Sequence, residues 1–273
     1  MEGITRLCFG ASYAVALGLE LARLARPRPA LRALGLIFGF AGLFAHTAFL
    51  AIQRPTIQSQ YGSLLFLAWV LAIFYLYGTV HHRRFAWAVF VLPLVLGLVV
   101  LAGYFAPEEG LRPPPWTDRL TVLSGERFWG GVHGVLILFA SVGVSVGFLA
   151  SVMYLVQARR LRNKVAPFGG VRLLSLERLE EMNRRAVNVA FPLLTVGLLV
   201  GVVLMLHRPE SSEAWTAGKV LGTAGLWLLF VVLLMLRYGL HTRGRHLAVG
   251  TIAAFAVMIA TLAASHPFPG GQP

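Results

Sequence analysis

Histidine is the residue type in this chain best suited to chemistry, and its eight copies fall into two sets of four. His81, His82, His241 and His246 sit among arginines in short polar breaks between apolar runs, where an imidazole is ordinarily a solvated loop residue. His46, His133, His207 and His266 lie instead within apolar runs or at their ends. Neutral imidazole is a good axial ligand for haem iron, and two histidines from different helices can clamp a haem edge-on in an apolar bundle without covalent attachment. Flat apolar walls for such a group are expected from Trp129, Phe139, Phe148 and Trp227. A zinc site from the same four histidines is a weaker reading, because no pair has the H-x-x-x-H spacing of a helical zinc site. The single cysteine, Cys8, excludes an internal disulfide, a CxxC redox pair, a CxxCH site for covalent haem attachment and a zinc site built on thiolates.

The elements that must position these histidines follow from composition. Of the 273 residues, 57% are hydrophobic and only 13% charged, and the mean hydropathy is +0.73. A water-soluble domain could not hide that much apolar surface in one core, so the solvent is lipid. Apolar runs of about 20 residues, the length that crosses a hydrocarbon core, occur at approximately 4–24, 33–53, 63–80, 85–105, 132–156, 187–206, 219–236 and 247–265. Lipid admits only internally hydrogen-bonded helices or closed barrels, and runs this long are not alternating strands. The expected fold is therefore an all-α integral membrane protein, a single domain of eight transmembrane helices. The first run lacks a basic leader and a small-residue cleavage site, and reads as a retained span rather than a signal peptide.

Orientation follows from the basic residues. The breaks at 23–32, 81–84, 157–186 and 237–246 hold 17 of the 24 Lys and Arg against three acids, Glu177, Glu180 and Glu181; the opposite side holds seven basic and seven acidic residues. The richer side is cytoplasmic by the positive-inside rule, which places both termini outside and His46, His133, His207 and His266 at the level of the outer leaflet. The formal charge of +13 is then a matter of topology and calls for no nucleic acid. In the cytoplasmic segment 157–186, residues 172–185 are expected to form a surface helix, with Ser175 as its N-cap and Leu173, Leu176 and Leu179 on one face. Glu20, with Arg23 one turn on, suggests a snorkelling ion pair, and Gly197 and Gly201 form a small-xxx-small pair suited to close helix packing.

Several stretches, taken in order, resemble the cytochrome c assembly family of CcsA, ResC and HemX-like membrane proteins. They are Leu43-Phe44-Ala45-His46-Thr47, then Ser63 to Trp69, Trp129 to His133, and Tyr154 to Lys164. Leu174 to Glu180 resembles the family's L-P-S-L-E-x-L-D helix, Ala190 to Gly201 its G-F-x-L-L-T-x-G-L-x-x-G span, and the chain closes on Ser265-His266-Pro267-Phe268. The resemblance implies that His133 and His266 are the external histidine pair with which members present haem to apocytochromes, and that His46 matches a second-span histidine of the short HemX-like members. His207 has no such counterpart. The family's tryptophan-rich external segment, W-x-W-D-P-K-E, survives only as Trp215 and Lys219, and the span from Lys219 to Leu236 lacks the histidine that many members carry. The short eight-span form is closest to the HemX-like members.

The resemblance implies a haem-b-binding protein of cytochrome c biogenesis in the bacterial inner membrane, multi-pass and with no bond-making chemistry of its own. Its metal ligands are expected among His133, His266, His46 and His207, with Trp129, Trp215 and Trp227 as cofactor walls and other maturation subunits as partners. Two alternatives stand beside it: a HemX-like regulator acting on glutamyl-tRNA reductase, and a subunit of a respiratory or photosynthetic electron-transfer complex. For the pair His133 and His266, the second ring nitrogen needs a partner that fixes the tautomer, and the candidates are carbonyls freed at helix ends or the hydroxyls of Ser265 and Ser141.

Overall fold

A computed structural model describes residues 6–57, 59–81, 87–105, 126–164, 174–206, 213–240 and 244–264; the side chains of 126–127, 213–219 and 263–264 are outside that description. Among the described residues every regular element is helical. The helices are α1 (Arg6–Ala25), α2 (Pro29–Gln53), α3 (Gln60–His81), α4 (Trp87–Tyr104), α5 (Glu126–Arg162), α6 (Leu176–Leu206), α7 (Glu213–Tyr238) and α8 (Gly244–Ala264). All eight are long and apolar enough to cross a membrane, so the chain is an all-α multi-pass membrane protein. Two boundaries differ from the sequence reading. α5 starts at Glu126, which puts His133 two turns inside the helix rather than at its opening. The stretch expected as a surface helix over 172–185 is, from Leu176 onward, the first turns of α6, which runs unbroken to Leu206 with Leu179 fully buried.

The chain divides into two compact units, one of residues 1–118 and 157–175 and the other of residues 119–156 and 176–273. In the first unit α2 starts on Pro29, whose fixed φ suits the first helical turn, and ends on Arg54 in the left-handed region, with its backbone N–H donating to the carbonyl of Leu50 at 2.9 Å. One face of α2 carries Gly35, Gly39, Gly42 and His46, all buried. A side chain at Gly39 would lie 2.7 Å from the Tyr75 hydroxyl, and one at Gly42 would lie 2.8 Å from the Tyr13 ring. The stripe thus lets α1 and α3 bring large tyrosines against the α2 backbone. Phe9, Tyr13, Leu64, Leu71, Tyr75, Val91 and Val95 complete this core with no exposure. Glu20 and Arg23 do pair, at 2.7 Å, but they do not snorkel: Glu20 is 1% exposed and the pair points into the unit.

The second unit packs through small residues as well. A side chain at Gly143 of α5 would meet Ala190 Cβ of α6 at 2.8 Å, and one at Gly147 would meet Thr251 of α8 at 3.1 Å. Close backbone approach is how helices associate where lipid removes the hydrophobic drive between them. Phe230, Ala190, Ala254, Leu149 and Met153 are buried there. Hydroxyls within the helices satisfy themselves on the preceding turn, as Ser145 does on the carbonyl of Ser141 at 2.8 Å. Large apolar side chains elsewhere point outward, among them Phe44 at 76% and Leu221 at 72% exposure, as a lipid-facing surface requires.

Candidate functional site

The site is clearest around His133 on α5. Its Nδ1 lies 2.7 Å from the carbonyl oxygen of Gly197 on α6. A carbonyl only accepts, so Nδ1 carries the proton and Nε2 is left as the lone-pair nitrogen. That is the tautomer of an imidazole prepared to ligate a metal, with a backbone carbonyl as the outer partner. The partner is a carbonyl in the middle of α6 and not a helix end or Ser141, whose hydroxyl instead donates to the carbonyl of Ile137 at 2.8 Å.

Gly201 makes the arrangement possible. A side chain there would lie 2.8 Å from His133 Cε1 and 3.2 Å from Nδ1, and one at Gly197 would lie 2.9 Å from Ile137 Cδ1. The small-xxx-small pair of α6 is therefore spent on seating His133 and Ile137 of α5. Gly201→Val should push the imidazole off the Gly197 carbonyl. In protein labelled with 15N-histidine, the wild-type His133 ring should show protonated Nδ1 and unprotonated Nε2, and the variant should lose that pattern. An unchanged His133 resonance in the variant would show that Gly201 does not set the ring.

The expected aromatic walls separate into two kinds. Trp129, four residues before His133 on α5, is half exposed and packs edge-on against Phe128 with centroids 5.5 Å apart. Phe139 is 53% exposed. Trp227 and Phe148 are engaged inside their unit: the Trp227 indole N–H donates to the Thr195 hydroxyl at 2.9 Å and its ring stacks on Phe191, while Phe148 stacks on Phe255 at 4.2 Å. The side chain of Trp215 lies outside the described residues, as do His207 and His266.

His46 belongs to the first unit and has a different setting. It is wholly buried, with Phe9 stacked on its face at 4.1 Å and 2°, and the Tyr13 hydroxyl 3.4 Å from Nδ1. Its Nε2 is enclosed and has no hydrogen-bond partner among the described residues. Phe9 thus covers one face of the ring and Tyr13 its Nδ1 edge, both from α1. Among the described residues no three His, Cys, Asp or Glu side chains are gathered as a metal site. His133 and His46 are each placed by their own unit. The donor chemistry of His133, with one nitrogen fixed and the other left over, suits an axial haem ligand. The enclosure of His46 does not, since a haem needs open space beside the ligating nitrogen.

Comparison with known proteins bears on the same residues. Residues 57–266, from the turn before α3 to His266, match the family described as Cytochrome C assembly protein. The chain belongs to that family. It is similar to the cytochrome c biogenesis protein CcsA of Synechococcus elongatus, 26% identical over 244 residues that cover 74% of this chain and 73% of the relative. The CcsA of Microcystis aeruginosa is 24% identical over 246 residues with the same coverage, and that of Guillardia theta 23% identical over 202 residues, covering 68% of this chain and 63% of the relative. No solved structure matches. The cytochrome c assembly match contains His133, Gly197, Gly201, Trp227 and His266, and it begins after His46. The likeness read in the Leu43 to Thr47 stretch therefore falls outside it.

The sequence reading did not reach Gly197 and Gly201 as neighbours of His133, although their four-residue spacing was visible. Nor did it reach Phe9 and Tyr13, which enclose His46. Spacing along a helix shows which residues share a face, but not which residue of another helix that face receives.

Proposed function

We propose that this cytochrome c assembly protein binds haem b near the outer membrane surface on His133 and His266, and that it handles haem for cytochrome c biogenesis. The single observation that carries the reading is the hydrogen bond from His133 Nδ1–H to the Gly197 carbonyl, which reserves Nε2 for a ligand. Bound haem would supply an iron that imidazole nitrogens can ligate, with His133 and His266 as the residues that would hold it. The chain's own contribution is positional: Gly197 holds the proton on Nδ1, and Gly201 leaves room for the ring. Trp129, half exposed one turn from His133, suits a flat apolar ligand. Trp227 is bonded to Thr195 and serves packing in this reading. His46 is left out of the ligand set because Phe9 and Tyr13 enclose it. Partners are other maturation subunits and an acceptor apocytochrome. The deciding experiment is the optical spectrum of the purified protein, oxidised and reduced. A low-spin haem b spectrum supports the reading, and a folded protein that takes up no haem on addition overturns it.

The reading also requires both termini, and with them His133 and His266, on the outer side of a bacterial inner membrane. In a Cys8→Ser background, Ser124→Cys should react with an impermeant thiol reagent added to intact cells, and Ser175→Cys should react only after lysis. Cys8 is replaced because it is exposed on α1. The reverse labelling pattern would invert the topology and remove the outward histidines with it.

A further inference from the structure

The stretch from Arg23 to Arg32, which carries the chain out of α1 and into α2, holds four arginines and no acid. Two of the four are spent inside the first unit. Arg23 pairs with the buried Glu20 at 2.7 Å, and Arg32 Nη2 donates to the Thr79 carbonyl in the last turn of α3 at 3.4 Å. The other two, Arg26 and Arg28, are exposed, and their guanidinium groups have no partner among the described residues.

The sequence fixes the backbone that carries this second pair. Pro27 and Pro29 bracket Arg28, and the residue before a proline is driven out of the helical region. Arg28 is accordingly extended, at φ −105° and ψ 136°. Its N–H donates to the Arg26 carbonyl, and the Arg26 N–H to the Ala22 carbonyl, both at 2.8 Å. Residues 26–28 alone connect two helices long enough to cross a membrane, so the turn is held at the level of the lipid headgroups. Next to it along the spans, Leu21 of α1 and Leu34 and Ile37 of α2 are exposed apolar side chains.

We propose that Arg26 and Arg28 form an interfacial site for the phosphate headgroup of an anionic phospholipid, whose acyl chains lie along Leu21, Leu34 and Ile37. The surroundings select this occupant. Glu20 is 1% exposed and held by Arg23, so it offers no counter-charge to the outward pair. A guanidinium presents paired N–H donors that match phosphate oxygens. A zwitterionic headgroup would bring its own cation beside the two arginines, and a free phosphate would use the charges but not the apolar surface next to them. A phospholipid with net negative charge meets both. The site does not depend on the haem reading.

The test uses the whole protein in nanodiscs of phosphatidylcholine with or without phosphatidylglycerol, with native mass spectrometry to count the lipids retained. The wild type should retain phosphatidylglycerol in preference to phosphatidylcholine. Arg26→Gln combined with Arg28→Gln should cut that preference by roughly fivefold per arginine removed. Arg159→Gln combined with Arg162→Gln removes the same charge from exposed positions at the end of α5 and should cost much less. Phosphatidylglycerol should also raise the thermal midpoint of the wild type, and inorganic phosphate added to phosphatidylcholine discs should not. If the Arg26 and Arg28 double variant does not fold, each single variant carries the test with its own loss. Equal retention of the two lipids by the wild type, equal losses in the two double variants, or a midpoint raised as much by inorganic phosphate as by phosphatidylglycerol would each overturn the proposal.

Discussion

His133→Ala abolishes the low-spin haem spectrum that the proposed ligation requires, either by releasing the haem or by leaving it five-coordinate and high-spin. The expected size of this effect is complete loss of one iron ligand: the neighbouring Gly197 and Gly201 offer no donor, and the Ser141 hydroxyl is bonded to its own helix. The variant should remain folded. Losing the bond to the Gly197 carbonyl costs about 1 kcal/mol, and that carbonyl keeps its place in the α6 backbone ladder. His266→Ala should produce the same spectral change if the two histidines act as a pair. His81→Ala and His246→Ala should leave the spectrum as it is. His81 is exposed, with Nδ1 at 3.1 Å from the carbonyl of Tyr77 one turn back in its own helix. His46→Phe is a sharper control, because it should fill the space between Phe9 and Tyr13 and preserve the spectrum. Retention of a low-spin spectrum in His133→Ala, with normal yield and thermal midpoint, would remove His133 from the ligand set.

Asn183→Leu carries the largest expected cost in stability. The Asn183 amide nitrogen reaches the Ser151 and Thr251 hydroxyls at 2.8 and 3.1 Å and its oxygen accepts from Arg237 Nη2 at 2.7 Å, so the substitution takes a buried acceptor from that guanidinium, while both hydroxyls keep their bonds to the preceding turn. Losing a hydrogen bond to a part-buried charged group costs about 1.5–3 kcal/mol, which corresponds to a fall of about 5–10 °C in the unfolding midpoint of a chain this size. Asn188→Leu, little more than one turn further along α6, is the matched control. Asn188 also makes two side-chain hydrogen bonds, donating to the Tyr238 oxygen at 2.7 Å and accepting from the Tyr238 hydroxyl at 3.1 Å, but on an exposed surface. There the groups released find other partners, and the midpoint should move by no more than a few degrees. Equal effects at the two positions would mean that burial at Asn183 does not govern the cost.

Much of the architecture was legible in the chain because lipid imposes a strong rule: a backbone without water must bond to itself over a length of about 20 residues. All eight apolar runs became helices on that ground alone, and the ordered motifs from Ser63 to His266 carried the family. The ion pair of Glu20 and Arg23 was also readable, since a three-residue spacing in a helix brings the two together. Its direction was not, because snorkelling and inward burial share one sequence pattern, and only the packing of α2 against α1 turns the pair into the unit. The same holds for the histidines. Residue type and depth marked His46 and His133 as equals, yet the fold sealed one behind Phe9 and Tyr13 and aimed the other's Nδ1 at the backbone of α6. Asn183 gave no sign at all, being one polar residue among several at the start of a long helix. Its role arises from Gly147, Ser151, Arg237 and Thr251, which lie 32 to 68 residues away along the chain. Local periodicity determines which elements form and which faces are apolar. Which atoms of distant helices meet is decided by close packing in three dimensions, where a glycine or its absence moves a partner by the width of a methyl group.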